Sequence, residues 1–190
     1  MKLLSLKCPR CRADLEGDNN SWIFFCRSCR IGVDLSRGRE QEFDFECAAP
    51  VIQRLETPRY FAFWLFRARY QALAEKKQNP DEIDGRFWVP AFFIKNISYF
   101  GDIGLYYTNR NVVPSTERCR KLAFFPADRG EAHTAIYPEI YAVKKEAARR
   151  RRVTGITIHS TRLVWVPFYE AEKEFIDSIL GWSYPIGAMI

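Results

Sequence analysis

Residues 8–29 read CPRCRADLEGDNNSWIFFCRSC and contain two C-x-x-C pairs. The first pair is Cys8 and Cys11, and the second is Cys26 and Cys29. A C-x-x-C turn directs two sulfur atoms at one ion, and two such turns complete a tetrahedron of thiolates. Because four sulfur ligands leave no position open for water, this pattern predicts a structural metal site and not a catalytic one.

The segment between the two pairs has the composition of a β-hairpin. Residues 17–21 (GDNNS) predict a turn, and residues 22–25 (WIFF) predict a strand that runs into the second pair. The order of knuckle, strand, turn, strand and knuckle resembles a zinc ribbon over about 35 residues. The resemblance implies one structural Zn²⁺ ion bound by the four cysteines. A disulfide and a rubredoxin-like, electron-carrying iron site are the alternatives.

The residue after each cysteine pair departs from the rubredoxin-like pattern. Many such knuckles place glycine there, whereas this chain has Arg12 and Arg30. Glycine adopts a left-handed backbone without steric strain, and arginine does not. We therefore expect strained left-handed backbone at both arginines unless the turns are built differently.

The remaining cysteines and the apolar segments bear on the compartment. Cys47 and Cys119 are isolated, and we expect buried or incidental thiols there. The apolar stretch before Cys8 is too short for a secretory signal, and the longest apolar run, residues 60–66, is too short to span a membrane. A reducing, cytoplasmic setting without a membrane span is the expectation, and paired cysteines there are usually metal ligands.

Charge divides the chain of 190 residues into segments, although its net charge is only +6. The first 39 residues are basic, residues 40–56 are acidic, and a basic cluster lies near residue 150. We predict a zinc ribbon at residues 1–36, an acidic connector at 37–58 and an aromatic-rich α+β domain at 59–190. The acidic connector could lie against the basic ribbon.

The segment from residue 59 onward mixes strands and helices without regular alternation. This favours an α+β domain with a mostly antiparallel sheet behind a small β zinc ribbon. Strands are predicted at residues 58–73 and 86–94, with a loop at 76–85 and a short strand near 122–125. A helix is predicted at 97–107 and another at 139–152. A hairpin at 153–168 and a last helix at 171–181 complete the prediction.

Three aromatic segments recur along this domain: AFWLF at 62–66, WVPAF at 88–92 and WVPF at 165–168. They indicate either similar strands in one core or a duplicated element that forms a groove. With RFWVPAFFI and GDIGLYYT, they make the whole chain similar to uncharacterised bacterial zinc-ribbon proteins. That resemblance implies no known activity.

Basic residues are the candidates for anion or nucleic-acid contact. The alternative for the cluster near residue 150 is a solvated helix end with favourable dipole placement. The ribbon candidates are Arg10, Arg12, Arg27 and Arg30, and the helix-end candidates are Lys144, Lys145, Arg149, Arg150, Arg151 and Arg152.

No catalytic set is recognisable, and the chain has only two histidines, His133 and an expected turn residue, His159. We therefore predict a non-enzymatic adaptor or scaffold that binds a protein partner through its aromatic-rich domain, since aromatic residues make up 15% of the chain. The alternative is a nucleic-acid-binding protein that uses the basic ribbon and residues 149–152. A rubredoxin-like electron carrier is a minor alternative.

Overall fold

The computed structural model describes residues 6–17, 20–44, 46–118, 123–124 and 127–189. Within them the fold is mostly antiparallel β-structure with a few short helices. A small sheet contains β1 (Ile23–Cys26), β2 (Ile31–Asp34) and β3 (Gln41–Asp44). A larger sheet contains β4 (Glu46–Ala48), β5 (Arg59–Ala74), β6 (Asp81–Pro90), β7 (Thr116–Arg118), β8 (Ala123–Phe124), β9 (Arg151–Ala171), β10 (Glu174–Asp177) and β11 (Ser183–Pro185). The helices are α1 (Ile97–Phe100), α2 (Ile103–Asn109), α3 (Glu131–Thr134), α4 (Tyr137–Ala147) and α5 (Ile186–Met189).

The long strand β5 organises the larger sheet. It pairs antiparallel with β6 on one side and with β9 along its whole length on the other. The register places Leu65 opposite Trp88 and Ala62 opposite Trp165, so the three recurrent aromatic segments lie side by side. They are strands of one sheet, as the first interpretation predicted.

Over residues 60–66 of β5, both faces of the sheet are apolar and covered, so this half of the strand does not alternate between apolar and polar residues. Beyond it, exposed Arg67, Arg69 and Gln71 alternate with buried residues. Trp64 and Trp165 lie on the face that packs against the small sheet and α4. Phe63 and Trp88 lie on the opposite face, which packs against α2, β10 and the C-terminal segment. The high aromatic content is therefore concentrated in the core.

The C-terminal third differs from the prediction. Residues 153–168 do not form a hairpin, because β9 is one continuous strand. The HSTR segment at its centre contains no glycine, proline or asparagine to turn the chain, and β5 pairs with residues 151–168 of β9. A bulge next to Arg67 absorbs one extra residue, so His159 lies within a strand and not in a turn.

The predicted last helix is also wrong, because residues 174–177 form β10, which pairs with the end of β9. Phe175 and Asp177 are both buried, which is the period of a strand. The basic helix is shorter than predicted: α4 ends at Ala147, and Arg151 and Arg152 begin β9. Likewise, the predicted loop at 76–85 gives way to β6 from Asp81 onward.

The structure settles two further predictions and the position of the apolar C-terminal segment, which the sequence left open. The helix predicted at 97–107 is divided into α1 and α2 at Gly101, whose φ is +83°. The apolar C-terminal segment docks internally, with Ala188 and Met189 buried. Cys47 on β4 is buried, as one of the two expectations had it, but it is disulfide-bonded and not a free thiol. Cys119 lies outside the described residues, as do the ends of the short strand predicted near 122–125, where β8 is found.

No helix among the described residues is long and apolar enough to cross a membrane.

Candidate metal centre

The two cysteine pairs sit in turns of matching construction. In the first turn, the backbone N–H of Arg12 donates to the carbonyl of Cys8 at 2.9 Å. In the second, the N–H of Arg30 donates to the carbonyl of Cys26 at 2.8 Å, where β1 passes into β2. Equivalent backbone hydrogen bonds therefore close the two cysteine turns.

Both residues that follow the pairs have the expected left-handed backbone. The φ angle is +62° at Arg12 and +56° at Arg30. Each arginine therefore occupies a conformation that glycine would adopt without strain. The hydrogen bonds of the knuckle hold it there.

The four cysteine side chains converge on one point. Their Sγ atoms all lie within 4.8 Å of one another, and the Sγ atoms of Cys11 and Cys26 are 3.5 Å apart. Sulfur atoms about 2.3 Å from a central ion at tetrahedral angles are separated by about 3.8 Å, so the cluster fits one metal ion. The four cysteines are free thiols, with Cys8 and Cys26 buried and Cys11 exposed. The geometry thus supports a metal site over the disulfide alternative.

Burial and the contacts within the cluster shift the pKa values of Cys8, Cys26 and Cys29 in different directions. Burial raises the pKa of Cys8, but hydrogen bonds from the backbone N–H groups of Cys11 and Arg10 outweigh it and lower that pKa to about 7. The hydrogen bond with Cys11, followed by burial, raises the pKa of Cys29 to about 12. Burial also raises the pKa of Cys26. Four neighbouring thiolates repel one another, and a bound cation removes that penalty.

The cysteine-bearing module is fixed to the larger sheet by β1. Phe24 and Cys26 face the module's own small core, whereas Ile23 and Phe25 belong to the core of the larger sheet. Phe25 packs edge-on against Trp165 with ring centroids 5.0 Å apart. All four residues of β1 are buried because both of its faces are covered.

The ribbon arginines divide into two groups. Arg10 Nε is 2.5 Å from Glu42 on β3, and Arg27 Nε is 2.7 Å from Glu16. Glu42, which lies in the acidic stretch, therefore contacts the basic ribbon, as the charge pattern allowed. Arg12 and Arg30 are exposed, and neither has a carboxylate within 4.0 Å among the described residues.

The basic residues near α4 also separate. Arg151 is only 19% exposed and lies 2.9 Å from Asp81 and 3.4 Å from the buried carboxylate of Glu146. Tyr70 donates a 2.8 Å hydrogen bond to the same carboxylate. Arg151 therefore joins α4 to the sheet. The sequence did not indicate this role, because Asp81 is 70 residues away and Glu146 lies on α4 whereas Arg151 begins β9. Lys144, Arg149, Arg150 and Arg152 are exposed, and Lys145 is half-buried.

Asp34 is a further structural residue that the sequence did not indicate. It is buried at the end of β2 and accepts hydrogen bonds from Ser36 and from Glu131. No local pattern marks it, since Glu131 is 97 residues away. His133 packs edge-on against Trp22 with centroids 4.7 Å apart, whereas His159 is exposed on β9.

Comparison of the chain with protein-family models, with curated proteins and with solved structures finds no match. The established feature of the site is therefore a four-cysteine cluster that could hold a metal ion.

Proposed function

We propose that the four cysteines bind one structural Zn²⁺ ion and that the chain is a non-enzymatic adaptor whose partner docks on the outward face of α4. The observation that carries the docking proposal is the apolar character of that outward face. The zinc proposal rests on the convergence of four sulfur atoms.

Zinc suits this donor set. Four thiolates in a tetrahedron select Zn²⁺ or iron among biological metals. A closed sulfur sphere offers no position for water or substrate, so the ion supplies folding free energy and no chemistry. The module has a small core of its own, formed largely by Leu15, Phe24, Ile31 and Val33, and a metal would compensate for that size.

The helix α4 is apolar on two opposite faces. Pro138, Tyr141 and Ala142 are buried on the inward face. The outward face carries Ile136, Ile140, Val143 and Ala147, at the i, i+4, i+7 and i+11 spacing of a single stripe. Ile136 is 62% exposed and Val143 is 47% exposed. A surface helix normally turns its polar side to water, so this stripe has the pattern of a helix covered on both sides.

The surroundings of the stripe indicate the chemistry of its partner. Lys144 is exposed in the last turn of α4 and Arg149 just after it, and within α4 itself Glu139 is the exposed carboxylate, since Glu146 is buried. Trp22, which is 41% exposed, packs on His133 three residues before Ile136 and adds aromatic surface. An apolar stripe with basic residues at one end fits a protein segment that presents an apolar face with acidic neighbours.

The docking proposal is tested by native purification at physiological salt with three forms of the chain. The wild type should retain a stoichiometric partner. The double variant Ile140→Ser/Val143→Ser should lose it, while Leu55→Ser, at a fully exposed apolar residue elsewhere, should keep it. High salt should weaken the complex if the basic residues contribute. Retention of the partner by the double variant, a wild type with no stoichiometric partner, or self-association through the stripe in sedimentation would each overturn the proposal.

The zinc proposal is tested separately by metal analysis. We expect a colourless protein with about one zinc ion per chain, and loss of that ion in the variant Cys26→Ser. A red, iron-loaded protein would instead favour the rubredoxin-like electron carrier.

A further inference from the structure

An open cleft with basic walls lies where β5 ends and β9 begins. Its volume is about 430 Å³, and it lies between the turn after β5, the end of α4 and the start of β9. Lys77, Arg150, Arg151 and Arg152 line it, together with one carboxylate, Glu75. Leu73, Ala74 and Ala147 supply an apolar wall.

Two of these cations already contact groups within the protein. Arg151 contacts Asp81 at 2.9 Å and donates to the backbone carbonyl of Ala72 at 3.3 Å. Lys77 contacts the same Asp81 carboxylate at 2.9 Å. These contacts fix the backbone on which the neighbouring arginines are carried.

Arg150 and Arg152 flank the anchored Arg151 and are exposed. In the described part of the chain, neither has a carboxylate within salt-bridge distance. Arg150 also has a left-handed backbone with φ of +56°, a conformation that is unfavourable for arginine. Such strain persists where the surrounding structure over-determines it, and this happens often at binding sites.

The charges nearby make the cleft electropositive. The buried Glu146 and the twice-paired Asp81 are already neutralised by Arg149, Arg151 and Lys77.

We infer that this cleft binds a phosphate ester, with Arg150 and Arg152 as its cationic ligands. Planar guanidinium groups match the oxygen atoms of phosphate and form paired hydrogen bonds with them. The cleft is larger than a single phosphate, and its size falls within the range of small-ligand sites. The apolar wall suits the organic part of the ester. This site is separate from the α4 stripe and does not rest on the adaptor proposal.

The test uses the metal-loaded full chain and three probes: inorganic phosphate, adenosine monophosphate and a labelled single-stranded RNA oligonucleotide. The variants are Arg150→Asn, which keeps a residue tolerant of left-handed backbone, and Arg152→Thr, which keeps a good strand former. Arg54→Ser removes one exposed charge from a distant segment as the control. Thermal unfolding checks that all variants fold.

We expect each cleft variant to weaken binding of a phosphate ester by about tenfold, the effect of losing one charge-assisted hydrogen bond. The control should bind like the wild type. If the mononucleotide binds as tightly as the RNA, the ligand is a single phosphate ester. If only the RNA binds, and each arginine substitution reduces the salt dependence by about one ion, the ligand is a nucleic-acid backbone. Absence of binding to all probes near about 1 mM, or equal losses in the control, would overturn the inference.

Discussion

The carboxylate of Asp34, at the end of β2, accepts a 2.7 Å hydrogen bond from the backbone N–H of Glu131, the first residue of α3. The same carboxylate accepts from the backbone N–H of Ser36 at 2.7 Å and from its hydroxyl at 3.0 Å. Asp34 is almost completely buried. One side chain thus ends the second strand of the cysteine module and satisfies a backbone donor of the helical segment that leads into α4.

We expect Asp34→Ala to lower the free energy of unfolding by about 1–3 kcal/mol, because the buried N–H of Glu131 loses its acceptor. Asp14→Ala is the matched control, since Asp14 is 83% exposed and its ion pair with Lys7 should contribute less than about 1 kcal/mol. Urea unfolding of the metal-loaded proteins measures both. Equal effects of the two substitutions would contradict this role for Asp34.

Gly130 packs against Ser36 and Asp34, and this close approach, not the backbone conformation, requires a residue without a side chain. Its φ of −71° is accessible to any residue, but a Cβ atom there would overlap the side chain of Ser36 and lie 2.5 Å from Asp34 Oδ1. We expect Gly130→Ala to destabilise the fold by about 1–3 kcal/mol through overpacking. Gly155→Ala, where nothing lies within 4 Å of the added Cβ atom, should be neutral or slightly stabilising in the same thermal-unfolding measurement.

The left-handed arginines of the knuckles give a prediction about backbone alone. Arg30→Asn and Arg30→Val remove the same charge, but asparagine tolerates positive φ and β-branched valine does not. We expect the asparagine variant to be more stable by about 1–2 kcal/mol, since φ at this position is +56°. Thermal unfolding of both zinc-loaded variants measures the difference. If both unfold at the same temperature, the turn relaxes to another conformation.

The parts of the fold that the sequence predicted are those set by local geometry. The spacing of Cys8, Cys11, Cys26 and Cys29 predicts their convergence, because each pair closes within one turn. The left-handed backbone at Arg12 and Arg30 was also predictable, because the turn of each cysteine pair requires it of the residue that follows. The strand β5 was recognisable from its aromatic and apolar residues alone.

The parts that the sequence did not predict depend on distant partners. Residues 153–168 form one strand because β5 pairs with their whole length, which no local pattern reveals. Arg151 was predicted at the end of a helix, but it begins β9 because it pairs with Ala74 of β5, and its side chain contacts Asp81 and Glu146. The aromatic content predicted a partner surface, but two covered sheet faces take up most of it.

A buried carboxylate on β10 gives a prediction about pH. Asp177 accepts hydrogen bonds from Tyr107 and, at 2.8 Å each, from the backbone N–H groups of Ile179 and Leu180. Burial nevertheless raises its pKa above the ordinary value, with these hydrogen bonds opposing the shift. A raised pKa means that the folded protein holds the proton more tightly than the unfolded chain. Asp177 therefore stabilises the fold most below about pH 3.9, the ordinary pKa of aspartate, and this contribution fades as the pH rises through the folded value.

The variant Asp177→Asn does not titrate, so it isolates this contribution. Lowering the pH from about 7 to about 4 should increase the unfolding free energy of the wild type relative to the variant. Both proteins contain the same cysteine cluster, so any loss of metal in acid cancels in the comparison. Urea unfolding at the two pH values measures the difference. A difference that is constant, or that moves in favour of the asparagine variant in acid, would show that burial does not raise the pKa of Asp177.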